Sequence, residues 1–354
     1  MRHPHTMTAA VTMRHGGPDA VEIRSDWPVP EAGPRIVLIR ISAAALNNTD
    51  IWSREGAYGT AEDPEATAGW KGVPLEFPRI QGIDVVGVVE LVGEHVDPVL
   101  IGRRVIIDPT VRYAGEYPLE VIGSEVDGGF AEYLACSPDQ VHDVSDSPLT
   151  DWQLACLPTA YGTALGMINR AGCEAGERVL VTGSSGGVGS AAIQLLADRG
   201  CHVVARTSAS NAETVAANGA NEVSVRGVDR IPDVAEVDVV IDVVGGEEFA
   251  DLLDRLKDGG RMAIAGAIAG PIVTLDLRRL YLRQRRLIGS TMHTPNDFAE
   301  LARIASAGGV EPIVAEVFPL TELHLAQARF QRKDFFGKLV VAPDGRDAIR
   351  ATAR

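Results

Sequence analysis

Residues 178–206, RVLVTGSSGGVGSAAIQLLADRGCHVVAR, decide the fold class. The apolar run Val179, Leu180, Val181, Thr182 breaks into the glycine loop Gly183-Ser184-Ser185-Gly186-Gly187-Val188-Gly189. Helical periodicity follows, with Val188, Ala192, Leu195 and Leu196 on one face, and residues 201–205 read as the next strand. The order strand, glycine loop, helix, strand is a complete βαβ unit. Glycine lets a ligand approach the backbone, and the free N–H groups and dipole of a helix N-terminus favour negative charge, so the loop can cradle a phosphate. Its spacing, G-x-x-G-x-x-G, departs from the usual G-x-G-x-x-G fingerprint. Alone it reads equally well as a sharp βα turn without a ligand; the βαβ context favours a nucleotide.

The pattern continues downstream. Residues 222–225, 237–244, 260–266 and 286–290 read as strands separated by helical stretches such as 247–257. The expected α/β fold is a doubly wound parallel sheet of six strands, with ligand outside their carboxyl ends. Those ends nominate Gly183, Gly186, Gly187, Val188, Arg206, Ser208, Val244 and Gly266 as dinucleotide contacts. The end of the second strand selects the cofactor. A free ribose 2'-hydroxyl is usually held there by an acid, whereas a 2'-phosphate needs a cation. Residues 206–211 read Arg-Thr-Ser-Ala-Ser-Asn, with no acid, so NADP(H) is expected on Arg206 and Ser208. Arg206 as a solvated surface residue is the alternative.

Composition excludes other classes. The chain has 354 residues, 45% of them hydrophobic, which suits two cytoplasmic domains rather than a membrane protein; no run approaches a spanning length. A net charge of -15 argues against nucleic acid, whose phosphates need clustered cations. Cys136, Cys156, Cys173 and Cys201 show no C-x-x-C pairing and read as reduced, buried, small apolar residues. The eight histidines form no H-x-x-x-H pattern.

The first 150 residues are of another kind. Short apolar runs at 35–41, 84–92, 104–107 and 130–135, punctuated by Gly and Pro, suggest a β-barrel-like domain. Runs at 313–318 and 339–342, with an amphipathic stretch at 322–330, suggest that the tail returns to it.

Several segments together carry a family resemblance: NNTDIWSREGAY at 47–58, GGFAEY at 128–133, TAY at 159–161, the loop at 183–189 and FGK at 336–338. The chain resembles the medium-chain dehydrogenase/reductase superfamily, and within it the zinc-free quinone oxidoreductase group that includes zeta-crystallin. The resemblance implies a GroES-like catalytic domain at 1–156 and 293–354 and a Rossmann NADP(H)-binding domain at 157–292. Where zinc relatives carry metal ligands, this chain has Asn47, Ile83 and Ala155 or Cys156, so no catalytic metal is expected. By resemblance, Asn47 positions cofactor and carbonyl, Thr159 and Lys338 contact the cofactor, and Thr49 or Tyr58 donates to substrate. Asp50 either relays a proton or caps a helix or pairs with Arg54. Trp52, where the group commonly has tyrosine, and Tyr58 would border the substrate. Trp70 lies with Lys71 in an acidic insertion at 59–77 and would touch substrate if that insertion is a lid. An edge strand at 285–290 implies a homodimer.

The implied activity is zinc-independent hydride transfer from NADPH to a quinone or an α,β-unsaturated carbonyl, which accepts hydride without a Lewis acid. The rival readings are an enoyl-thioester reductase of the same superfamily and a non-catalytic, crystallin-like NADPH-binding protein.

Overall fold

The computed structural model describes residues 4–57, 75–112 and 120–343. Tyr58, Trp70 and Lys71 lie outside the described residues. The chain forms two compact units, one of residues 1–159, 302–308 and 312–354, the other of residues 160–301 and 309–311.

In the second unit six parallel strands run in the spatial order Glu222–Val225, His202–Thr207, Arg178–Val181, Val237–Asp242, Leu256–Ile264, Arg286–Gly289. In chain order this is 3-2-1-4-5-6, the doubly wound arrangement, with the glycine-loop strand at the point where direction reverses. Leu180 pairs with Val204 on one side and Val240 on the other. All three are buried in a core with Phe249, Leu252, Leu253, Leu256 and Met262. Helix Gly187–Asp198 buries Ala191, Ala192, Ile193, Leu195 and Leu196.

Several boundaries differ from the sequence reading, two of them for a visible reason. The fourth strand ends at Asp242 rather than at 244, because the Asp242 carboxylate accepts the backbone N–H groups of Val244 and Gly245 and turns the chain. The helix expected over 247–257 is a 3₁₀ turn, Gly246–Glu248, and a short helix, Phe249–Asp254. Leu256 already pairs with Val237, and Gly259, at φ +76°, absorbs the irregularity before Arg261 resumes pairing with Val239.

The first unit is built on a sheet ordered Val141–Asp143, Arg104–Ile107, Asp84–Val92, Val37–Ala45, Lys338–Ala342, Val314–Pro319, with Tyr133–Cys136 also paired to Val37–Ala45. A three-stranded sheet joins Val21–Pro28, Thr6–Thr12 and Arg79–Ile80. Alternating residues face two apolar cores, one around Leu38, Phe130, Leu320 and Leu339, the other around Ile39, Val85, Val105 and Leu134. Register brings three strand ends together: Ala45 opposes Asp84 on one side and Val340 on the other. The Leu46 N–H donates to the Leu339 carbonyl at 2.9 Å. Asn47, Asp84 and Lys338 are thereby neighbours before any side-chain chemistry is considered.

Leu180 is fully buried on the central strand. Leu180→Ala is expected to cost about 2–5 kcal/mol, from lost transfer free energy plus a residual cavity. Urea unfolding followed by far-UV circular dichroism should show a midpoint shifted to lower urea.

Candidate active site

In the first unit the site is organised by one buried carboxylate. Asp84 has no solvent exposure. Its Oδ1 accepts the Thr159 backbone N–H at 2.7 Å, and its Oδ2 accepts from Asn47 Nδ2 at 3.0 Å and from Lys338 Nζ at 2.9 Å. The Lys338 ammonium also donates to Asn47 Oδ1 at 2.6 Å. The second Asn47 amide proton goes to the Ala45 carbonyl at 3.3 Å. Both ends of the Asn47 carboxamide are therefore engaged, which fixes its orientation.

Asn47 is also the N-cap of helix Asn48–Glu55. Asp50 reaches back to the Asn47 N–H at 2.7 Å, as the third-position acid of a capping box does, and accepts the Gly82 N–H at 3.3 Å. Burial pushes its pKa up to about 7, against the pull of these N–H groups. The Arg54 guanidinium, fully buried, donates to the Gly16 carbonyl and to Gln327 and Glu55. Thr49 and Trp52 are half-buried on the same helix.

Thr159 lies in a single π-helical turn, Leu157–Tyr161, a backbone form that recurs at functional sites. Its hydroxyl oxygen is buried without a hydrogen-bond partner. An orphaned polar atom of this kind fits a ligand's polar group.

The positions matching zinc ligands do not offer a zinc site. Ile83 is buried and has no donor atom. Cys156 has its thiol pushed up to about 12 by burial and donates to the Trp152 carbonyl at 3.1 Å. Asn47 is committed to Lys338 and Asp84. Among the described residues, no three His, Cys, Asp or Glu side chains gather as a metal ion would require.

In the second unit a cleft opens at the carboxyl ends of the strands, lined by Thr182, Gly183, Ser185, Arg206, Thr207, Arg226, Val244, Gly245, Glu248 and Leu252. Gly183 takes φ +59°, and a Cβ on Gly189 would lie 2.3 Å from the Gly183 carbonyl oxygen. Glycine is thus required on both sides of the turn, and Gly186 N-caps the helix that starts at Gly187 and Val188. Gly266 sits where a Cβ would meet the Val243 carbonyl at 2.6 Å. Asp242, raised in pKa by burial, accepts from the Thr182 hydroxyl at 2.6 Å and holds the Val244 loop. This cradle fits a dinucleotide, with its pyrophosphate against the loop.

Arg206 is not a solvated residue. Its guanidinium is buried and donates to Glu248 at 2.6 Å, Ser224 at 2.9 Å and the Asp229 carbonyl at 2.8 Å. Ser208 shares its hydroxyl with Ser210 and Asn211. Arg226, Glu248, Asp242 and Asp84 are site residues that the sequence reading does not single out. An acid after the fourth strand and an arginine after the third are the sequence signals that mark Glu248 and Arg226.

One unit with a cleft at the carboxyl ends of a 3-2-1-4-5-6 sheet, and one barrel-like unit with a buried polar cluster, define an oxidoreductase of the alcohol dehydrogenase-like fold. The family model described as Alcohol dehydrogenase GroES-like domain matches residues 33–146, and that described as Zinc-binding dehydrogenase matches 187–307. The chain is 31% identical to the quinone oxidoreductase of Sus scrofa over 329 residues, covering 89% of this chain and 91% of that one. It is 29% identical to the acryloyl-coenzyme A reductase of Sulfurisphaera tokodaii, over 89% of this chain and 95% of the other. A crystal structure from Sinorhizobium meliloti 1021, provisionally designated an alcohol dehydrogenase, superposes with a TM-score of 0.90 at 44% identity, covering 97% and 98% of the two chains. The chain belongs to the medium-chain dehydrogenase/reductase superfamily, in its quinone oxidoreductase group.

Removing one member of a buried ion pair strands the other, at about 3–5 kcal/mol. Lys338→Met should show a loss of that size in chemical denaturation, and Lys338→Met with Asp84→Asn should recover part of it. For Asp50 the folded pKa lies above the ordinary 3.8, so its contribution is fully present below that value and is lost as pH rises to about 7. The stability of the native protein minus that of Asp50→Asn should therefore shrink between about pH 4 and about pH 8. Thermal unfolding of both across this range measures the difference.

Proposed function

We propose that the chain is a zinc-independent, NADPH-dependent reductase that delivers hydride to a quinone or an α,β-unsaturated carbonyl. The observation that carries this reading is the Lys338 ammonium, bonded to Asp84 and to Asn47, the residue that by resemblance stands where zinc relatives carry a metal ligand. With two of its three donors spent on Asn47 and Asp84, the ammonium would use the third on an acceptor whose oxygen gains negative charge after hydride arrives at a remote carbon. The nicotinamide would supply that hydride. The chain's own residues bind and orient. Gly183 and the first-turn N–H groups at Gly187 and Val188 would hold the pyrophosphate, with Val244 and Gly266 shaping the cleft. Thr159 Oγ1 would bond the nicotinamide carboxamide. Asn47, locked by Lys338 and Asp84, would hold the first turn of its helix so that Thr49 and Trp52 border the acceptor. Tyr58 remains a proposed donor and Trp70 a proposed substrate contact.

NADPH is supported by Arg226, which lines the cleft and whose side chain has no hydrogen-bond or ion-pair partner among the described residues. A homodimer is supported by the edge position of Arg286–Gly289 and by exposed Ile272, Leu277, Tyr281 and Leu282. Among the described residues no helix is long and apolar enough to cross a membrane, and four free cysteines suit a reducing cytoplasm.

The test is NADPH oxidation against 1,4-benzoquinone, 9,10-phenanthrenequinone, 2-alkenals and enones, before and after exhaustive chelation. Undiminished turnover of a quinone or enone after chelation is the expected result. Activity lost with the metal overturns zinc independence. Turnover confined to enoyl thioesters, or NADPH binding without turnover, selects one of the rival readings instead.

A further inference from the structure

Resting on the dinucleotide reading of the cleft, we infer that Glu248 determines cofactor specificity: its carboxylate restrains the site's preference for an adenosine 2'-phosphate over a 2'-hydroxyl, while Arg226 and Thr207 are left to receive that substituent. The Arg206 side chain is 5% exposed and is held by both Glu248 oxygens, at 2.6 and 3.4 Å. Ser224 and the Asp229 carbonyl take its remaining inner donors. Glu248 follows the fourth strand and Arg206 ends the second, so the pair closes across the glycine-loop strand between them. The cation expected to meet a phosphate is therefore already neutralised.

Two other groups lining the cleft are not engaged. The Thr207 hydroxyl is buried without a hydrogen-bond partner. The exposed Arg226 side chain has no hydrogen-bond or ion-pair partner among the described residues. A phosphate entering here would meet one free cation, one free hydroxyl and one carboxylate. A 2'-hydroxyl, in contrast, can donate to that carboxylate, which when ionised only accepts. Glu248→Gln keeps an oxygen for Arg206 but removes the negative charge, so NADPH should tighten while NADH weakens. Opposite signs for two ligands that share every other atom separate a charge effect from general damage to the cleft.

The experiment measures NADPH and NADH dissociation constants by reduced-nicotinamide fluorescence on the full chain, with displacement by 2',5'-ADP and by 5'-ADP. The NADPH-over-NADH affinity ratio should rise about tenfold in Glu248→Gln and fall about tenfold in Arg226→Gln, with 2',5'-ADP following NADPH. An unchanged ratio in either variant, or equal weakening of both cofactors by Glu248→Gln, overturns the inference and leaves the reductase reading intact. Binding of neither cofactor by the native protein overturns the dinucleotide reading and this inference with it. Arg226 is exposed and has no side-chain partner among the described residues, so its variant keeps the fold and the test survives even if Glu248→Gln fails to fold.

Discussion

The Asp84 carboxylate is the interaction on which the first unit's polar cluster depends. A charge without solvent contact is costly unless paired and hydrogen-bonded, and Asp84 meets both conditions through Lys338, Asn47 and the Thr159 N–H. Each partner belongs to a different segment: the start of a C-terminal strand, a helix N-cap and a π-helical turn. One carboxylate therefore sets the relative position of all three. The same arrangement joins the Lys338 ammonium to Asn47 and commits both ends of the Asn47 carboxamide to the scaffold. Both amide protons of Asn47 are thus taken up by the Ala45 carbonyl and Asp84.

Asp242 plays a parallel part in the nucleotide-binding unit. It too is buried, at a strand's carboxyl end, and binds the Thr182 hydroxyl and the N–H groups of Val244 and Gly245. These bonds shape the loop that lines the cleft. In both units a carboxylate with little water around it orders backbone that would otherwise be loop, where a functional surface needs fixed N–H groups and carbonyls. Asp50 extends the theme, since its two N–H partners hold a helix start and its burial moves its titration toward neutral pH.

The glycine loop was legible because its requirements are local: φ +59° at Gly183 and the near contact of Gly189 with its carbonyl admit no side chain, so spacing alone exposes the turn. Thr159 and Lys338 came from motif resemblance, and the structure joins them to the same carboxylate. Arg206 shows where reading ended. Its sequence neighbours are Thr and Ser, yet its charge is met by Glu248, 42 residues away. The strand boundaries near 244 and 260 moved for similar reasons, one through a side chain turning the backbone at Asp242, the other through pairing of Leu256 with Val237.

By itself the sequence determined the alternation of strands and helices, the six-stranded class of the nucleotide-binding sheet and the cradle at its first turn. These follow from periodicity and from glycine's lack of a side chain, which act within a few residues. Only the tertiary structure decided which charges neutralise one another: Lys338 with Asp84 across 254 positions, and Arg206 with Glu248 across the central strand. Strand register makes those choices. Buried charges interact through space, and the chain must first close its sheets before the partners are within reach.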